Sequence, residues 1–160
     1  MIVSTNQPYF APYPGFFYKV QISDVFVILD DVQFPRKTTW ISRNRFKNDQ
    51  GTLWMTIPVR KKGLGLQNIS DVRICHAGNW RKKHLRSIQS AYAKAPFLAD
   101  HLGLMKRVFS LQYNRLLDLN LDIIKYILNN LQIETRMMMQ SELGASGKGP
   151  SLIIDICKSL

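Results

Sequence analysis

The sequence predicts an α/β fold, with a mostly parallel sheet flanked by helices, in a single domain over residues 1–160. Three observations carry that expectation. Val25 to Leu29 is an unbroken apolar run, the pattern of a strand buried on both faces in a parallel sheet. Apolar pieces of strand length alternate along the chain with stretches of helical periodicity. The length, 160 residues, is that of one domain with room for a core.

Ile2 and Val3 begin a short strand that delivers Asn6-Gln7-Pro8-Tyr9-Phe10 to a loop. Three prolines and a glycine between Gln7 and Gly15 make that loop stiff and non-helical, since each ring holds φ at about −65°. Its aromatics either stack on a base or sugar or pack against the core. Phe16, Val20 and their apolar neighbours give Gly15 to Ile22 the spacing of a short amphipathic helix, and Asp24 ends it. Strand, helix and buried strand form a βαβ unit, so the first two strands are expected to be parallel. The second strand runs into Asp30 and Asp31. Ligands of open α/β sheets gather beyond the carboxyl ends of the strands. The two acids therefore serve chemistry or simply begin a turn.

Arg36, Lys37, Trp40, Arg43, Asn44 and Arg45 crowd the segment Arg36 to Lys47, read here as a basic loop. Arginine forks match planar oxyanions, and Trp40 offers a stacking face. A solvated loop is the alternative. Asn48 to Gly51 is a turn, and Leu53, Met55, Ile57 and Val59 alternate as in a strand from Thr52 to Val59. Arg60-Lys61-Lys62-Gly63-Leu64-Gly65 is basic and glycine-bearing but lacks the spacing of a phosphate-binding loop. Ile69 to Cys75 is a further candidate strand. Asn79 opens a helix expected to reach Ala93. Its first turns carry Arg81, Lys82, Lys83, His84 and Arg86, cations that oppose the helix dipole and that an anion would relieve.

A helix from Leu98 to Phe109 is followed by the strongest helical pattern, Tyr113 to Leu131, which is read as core without chemistry. Ile133 to Met139 is a last strand and Ser151 to Leu160 a last helix. That helix returns to no strand and has no capping glycine, so the chain is expected to be a piece of a longer domain.

The formal charge of +11, from 22 basic against 11 acidic residues, predicts an anionic partner: nucleic acid, a phosphorylated small molecule or an anionic membrane surface. No apolar run approaches the roughly 20 residues of a membrane span, and the start is unlike a signal peptide, so a cytoplasmic location is expected. Cys75 and Cys157 lie far apart in apolar company, as buried free thiols do. They and the three histidines lack metal-ligand spacing, so no metal is expected.

Several short motifs stand in a fixed order. They are Gln7-Pro8-Tyr9 with Pro12 and Gly15, Ser23-Asp24-Val25-Phe26-Val27, Leu29-Asp30-Asp31-Val32-Gln33-Phe34, Trp40, Arg43-Asn44-Arg45, Trp80, Lys83-His84 and Ala95-Pro96-Phe97. Together they resemble the WbqC-like protein family, from the first strand to the last residue. The resemblance implies a place in the biosynthesis of O-antigen and other surface polysaccharides, with a sugar as the molecule modified. It implies a pathway more firmly than a reaction. The family usually opens His-Gln-Pro, and here the first of these positions is Asn6, whose amide does not titrate. The family also continues past Leu160. A more distant similarity is to nucleotidylyltransferases such as pantothenate synthetase, whose His-x-Gly-His phosphate loop reads Tyr13-Pro14-Gly15-Phe16 here. The fold analogy carries over and that mechanism does not.

The expected function is a transferase that moves an acyl or aminoacyl group onto a nucleotide-linked or lipid-linked sugar. A phosphorylated or nucleotide-linked sugar is the expected substrate, with an acyl donor as partner and no cofactor assigned. Asp30, Asp31 and His84 are the candidate acids and bases. Asn6, Gln7, Tyr9, Lys19, Gln33, Arg36, Trp40, Arg43, Asn44, Arg45 and Lys83 are the candidate binding residues. The arginines and Lys83 would hold phosphate, and Trp40 and Tyr9 would stack. The alternatives are a basic nucleic-acid-binding module, suggested by Trp40, Trp54 and Trp80 among cations, and a non-catalytic scaffold of polysaccharide assembly. Nucleic acid is the less favoured partner.

Overall fold

A computed structural model describes residues 1–110 and 113–160. In chain order its elements are β1 (Val3–Asn6), α1 (Pro14–Gln21), β2 (Val25–Ile28), β3 (Arg43–Asn48), β4 (Gly51–Thr56), α2 (Trp80–Ala91), α3 (Leu98–Val108), α4 (Leu116–Asn130), β5 (Arg136–Met139) and α5 (Pro150–Lys158). Short 3₁₀ turns at Ile69–Asp71 and Gln140–Glu142 complete them.

The apolar run found in the sequence is the centre of the fold. β2 pairs in parallel with β1 on one side, from Val3↔Val25 to Asn6↔Ile28, and with β5 on the other, from Val25↔Arg136 to Ile28↔Met139. All four β2 residues are buried. The pleat sends them to opposite faces. Phe26 and Ile28 pack with Phe16, Phe17 and Val20 of α1 and with Leu117, Ile124 and Leu128 of α4. Val25 and Val27 pack with Leu152 and Ile156 of α5. Each such side chain contributes about 1.5–3 kcal/mol by leaving water, which is why helices cover both faces. Pro14 starts α1, where its missing N–H has no partner to lose.

The structure corrects four expectations. The parallel sheet has three strands. The strand expected from Thr52 to Val59 is present as β4, ending at Thr56, and lies outside that sheet: it pairs antiparallel with β3 in a separate two-stranded ribbon. The basic segment read as a loop therefore supplies a strand, Arg43–Asn48, closed by the predicted turn with Gly51 at φ +124°. Ile69 to Cys75 is a 3₁₀ turn followed by isolated bridges, Val59↔Ile74 and Arg73↔Arg115. Ile69, Val72 and Ile74 are all buried, a spacing of three and then two that one face of a strand cannot satisfy. Cys157 is exposed on α5, because the neighbouring Ile156 takes the inward position. Leu111 and Gln112, near the expected start of the long helix, lie outside the described residues. No helix among the described residues is long and apolar enough to cross a membrane.

α3 is pinned to α4 by polar contacts. Arg107 donates from Nε and Nη2 to Asp122 at 2.8 and 3.2 Å, and the Tyr113 hydroxyl donates to the same carboxylate. Burial alone would raise the Asp122 pKa, but the bonds from Arg107 and Tyr113 and the guanidinium charge outweigh it and hold the carboxyl below its usual value. A carboxylate with a depressed folded-state pKa stabilises above its unfolded pKa of about 3.9, and that contribution fades as pH falls through the lower folded value. Both side chains are partly exposed, so water screens the pair. Asp122→Asn is expected to cost about 1 kcal/mol at neutral pH. Its urea-unfolding stability should converge with the parent's as pH drops through the folded-state pKa of Asp122.

Candidate functional site

The stiff loop after β1 lies against the segment that leads into β3. Phe10 N–H donates to the Trp40 carbonyl at 2.9 Å, and the Asn44 side-chain amide donates to the carbonyls of Phe10 and Ala11 at 3.1 and 2.6 Å. Ala11 adopts φ +44°, a left-handed turn that an alanine holds only under such restraint. Phe10 is buried beside Phe34 and Ile41, which anchors the loop in the core. Deeper still, the Asn120 side chain in the middle of α4 is fully buried. Its amide donates to the Pro8 and Ile41 carbonyls, each at 2.8 Å. One side chain thus ties the loop to the segment that leads into the ribbon.

Between them lies an open groove of about 690 Å³, lined among others by Tyr9, Tyr13, Trp40, Asn44, Arg45 and Lys47, with no carboxylate in its lining. The ribbon shapes one side. In β3 the alternation places Arg43, Arg45 and Lys47 on one face, opposite Thr56, Trp54 and Thr52 of β4. The Trp40 and Trp54 rings lie 5.6 Å apart. The Arg43 guanidinium sits 3.7 Å from the Trp54 ring centre, and that of Arg45 sits 5.5 Å from Trp54 and 5.9 Å from Trp40. Cations over indole faces are attracted by the ring quadrupole. The stack therefore holds the arginine forks in place while Trp40 and Trp54 stay 43% and 47% exposed.

Of the residues singled out in the sequence, the groove gathers Tyr9, Trp40, Asn44 and Arg45. Arg43 joins the stack behind it, with its Nε buried and unpartnered. The others sit elsewhere. Asp31 is exposed beyond the end of β2, and its carboxylate accepts from the Asn68 amide at 2.7 Å. Asp30 is buried, and its two oxygens accept from the Ser141 N–H and hydroxyl at 3.0 and 2.7 Å, which ties the carboxyl ends of β2 and β5. The His84 Nε2 pairs with the Thr56 carbonyl at 2.9 Å, and its ring centre lies 5.8 Å from those of Trp80 and Phe109. That contact holds α2 to the ribbon. Lys83 is exposed on α2. Lys19 donates to the Thr5 carbonyl at 2.7 Å, and Asn6 to the Gln7 carbonyl at 2.9 Å, both at the carboxyl end of β1. Gln7 is half-buried just beyond it, and Gln33 bridges to Asn68. The Arg36 carbonyl accepts from Lys61.

Asn120, Tyr13, Lys47 and Ser141 had no place among the expected site residues. Asn120 had a legible signal, a lone amide within Leu116, Leu117, Leu119, Ile123 and Ile124. Among the described residues, no group of three or more His, Cys, Asp or Glu side chains converges as a metal site would.

A model of the WbqC-like protein family matches residues 7–160. The chain is also 32% identical over 136 residues to an uncharacterized protein of Mycobacterium tuberculosis (strain ATCC 25618 / H37Rv). That alignment covers 84% of this chain and 58% of the relative, so the chain spans less than two thirds of the relative's length. No solved structure matches.

Proposed function

We propose that this chain, which belongs to the WbqC-like protein family, acts in surface-polysaccharide biosynthesis as a transferase. It moves an acyl or aminoacyl group onto an amine or hydroxyl of a nucleotide-linked or lipid-linked sugar. The observation that carries the reading is the groove, where exposed aromatic faces, an amide and two cations meet without an acid. Its volume of about 690 Å³ is in the range of small-molecule sites. Trp40 and the tyrosines stack on base or sugar, and Arg45 and Lys47 hold phosphate oxygens, Arg45 as a pre-oriented fork. Asp31 is the base. As the sugar amine or hydroxyl attacks the donor's acyl carbon, its proton passes to the carboxylate and the donor's carrier leaves with the electron pair. Asp30 and His84, each bonded inside the fold, keep the strand ends and α2 in place.

Calorimetric titration with a uridine-diphosphate sugar tests the groove. Saturable binding is expected at moderate salt, weakened about tenfold or more by Trp40→Ala and by Arg45→Ala. Binding that ignores both variants, or no binding, removes this site. A second reading has its own support: indoles interleaved with arginines are a platform for single-stranded nucleic acid. Oligonucleotide binding that collapses with salt, without nucleotide-sugar binding, would favour it.

A further inference from the structure

A second feature stands apart from the groove and does not depend on it. Every residue from Arg60 to Leu66 is exposed, and the segment reads Arg-Lys-Lys-Gly-Leu-Gly-Leu. Gln67 closes its neck by donating from Nε2 to the Arg60 carbonyl at 3.1 Å. Gly63 and Gly65 adopt φ +77° and +61°, left-handed values that carry the chain round a tight tip, with nothing within 4 Å of where a Cβ would stand. Leu64 and Leu66 project there, 50% and 58% exposed. Two apolar side chains held out in water on one tip by two left-handed glycines gain by being covered.

The charge around the tip says by what. Residues 32–48 and 50–70 contain no Asp or Glu and eight Lys or Arg. Lys61 lies 5.1 Å from the Phe34 ring centre and donates to the Arg36 carbonyl at 3.2 Å. That bond joins the tip to the exposed Arg36-Lys37 segment, so the cations of both stand together. We infer that Arg60–Leu66 is a membrane-docking loop that inserts Leu64 and Leu66 into the surface of an anionic bilayer, while Lys61, Lys62, Arg36 and Lys37 meet the lipid headgroups. Apolar burial and attraction to anionic lipid act together in such interfacial anchors. A fluid bilayer needs no shaped surface to receive two exposed leucines: among the described residues Leu64 lines none of the main pockets, and Leu66 edges a shallow one beside Phe34, Arg36 and Lys61. A nucleic acid would attract the lysines but gain nothing from the leucines, and the loop has no aromatic on which a base could stack. A docked loop would hold the chain at the surface where lipid-linked sugars reside.

Sedimentation with vesicles tests the inference. The protein is expected to pellet with vesicles of equal parts phosphatidylcholine and phosphatidylglycerol, and to stay in solution with phosphatidylcholine alone. Leu64→Ser/Leu66→Ser should lower the partition coefficient about tenfold or more, and what remains should vanish at high salt. Lys61→Gln/Lys62→Gln should lower it by a similar factor. Both substitutions lie on an exposed loop, and unchanged thermal unfolding would show that the fold is intact. Failure of the parent to bind anionic vesicles overturns the inference. So does serine-variant binding equal to the parent's, because attraction would then be charge alone and an oligonucleotide should compete for it fully.

Discussion

Asn120→Leu is expected to lower stability by about 3 kcal/mol, read as a fall in the urea midpoint, and to shift thermal unfolding by roughly 6 to 12 °C. Leucine keeps the branched heavy-atom skeleton of asparagine and is bulkier, so no cavity drives the loss. The loss arises because the Pro8 and Ile41 carbonyls, both in buried residues, lose the amide that satisfied them. Each buried acceptor left unpaired costs about 1–3 kcal/mol, partly offset by removing the unpartnered Asn120 Oδ1. The same change should loosen the groove, since those two carbonyls belong to its two sides. Affinity for a uridine-diphosphate sugar is expected to fall about tenfold even where the variant is fully folded. Asn130→Ala is the control. That amide donates to the Tyr126 carbonyl on the exposed end of the same helix, and its loss should cost under about 0.5 kcal/mol. An Asn120→Leu protein as stable as the control would show that the two carbonyls find other partners and that the groove is held by packing alone.

Asp31→Asn is expected to lower turnover about 10²- to 10⁴-fold while leaving fold and sugar binding intact. An asparagine oxygen can still accept from Asn68, so the local structure survives, but an amide cannot take a proton. Free-thiol release from an acyl-CoA, with a nucleotide-linked amino sugar as acceptor, is the readout. Asp30→Asn should behave in the opposite way. Its oxygens accept two bonds from Ser141. An amide keeps one acceptor for the N–H, while its NH2 forces the hydroxyl to turn and accept, and the charge that strengthened both bonds is lost. Stability should fall by about 1–2 kcal/mol and bring turnover down only as far as the fold loosens. Thiol release by Asp31→Asn at the parent rate would remove Asp31 from the chemistry.

These contrasts show where one-dimensional reading reaches its end. Asp30 and Asp31 are neighbours of the same type at a strand end, and no pattern separates them. The tertiary fold separates them, by turning one carboxylate inward to Ser141, 111 residues away in sequence, and the other out to Asn68. Likewise His84, marked by the cations around it, is used to hold α2 against the Thr56 carbonyl of the ribbon.

The sequence by itself determined the central parallel strand, the stiff loop before α1, the helical stripes and the presence of an arginine- and tryptophan-rich segment. These are local properties: an apolar run, proline rings and a 3.6-residue period fix them within one element. Only the tertiary structure decided that the basic segment pairs with Gly51–Thr56 as a ribbon outside the sheet. It alone decided that Trp40 and Trp54 stack between arginines, and that a buried amide on α4 bonds both to the loop and to the segment leading into the ribbon. The physical reason is sequence separation. Hydrogen bonds and ring contacts between residues tens to a hundred positions apart form only when the core brings their elements together, and no periodicity along the chain encodes which partner each will meet.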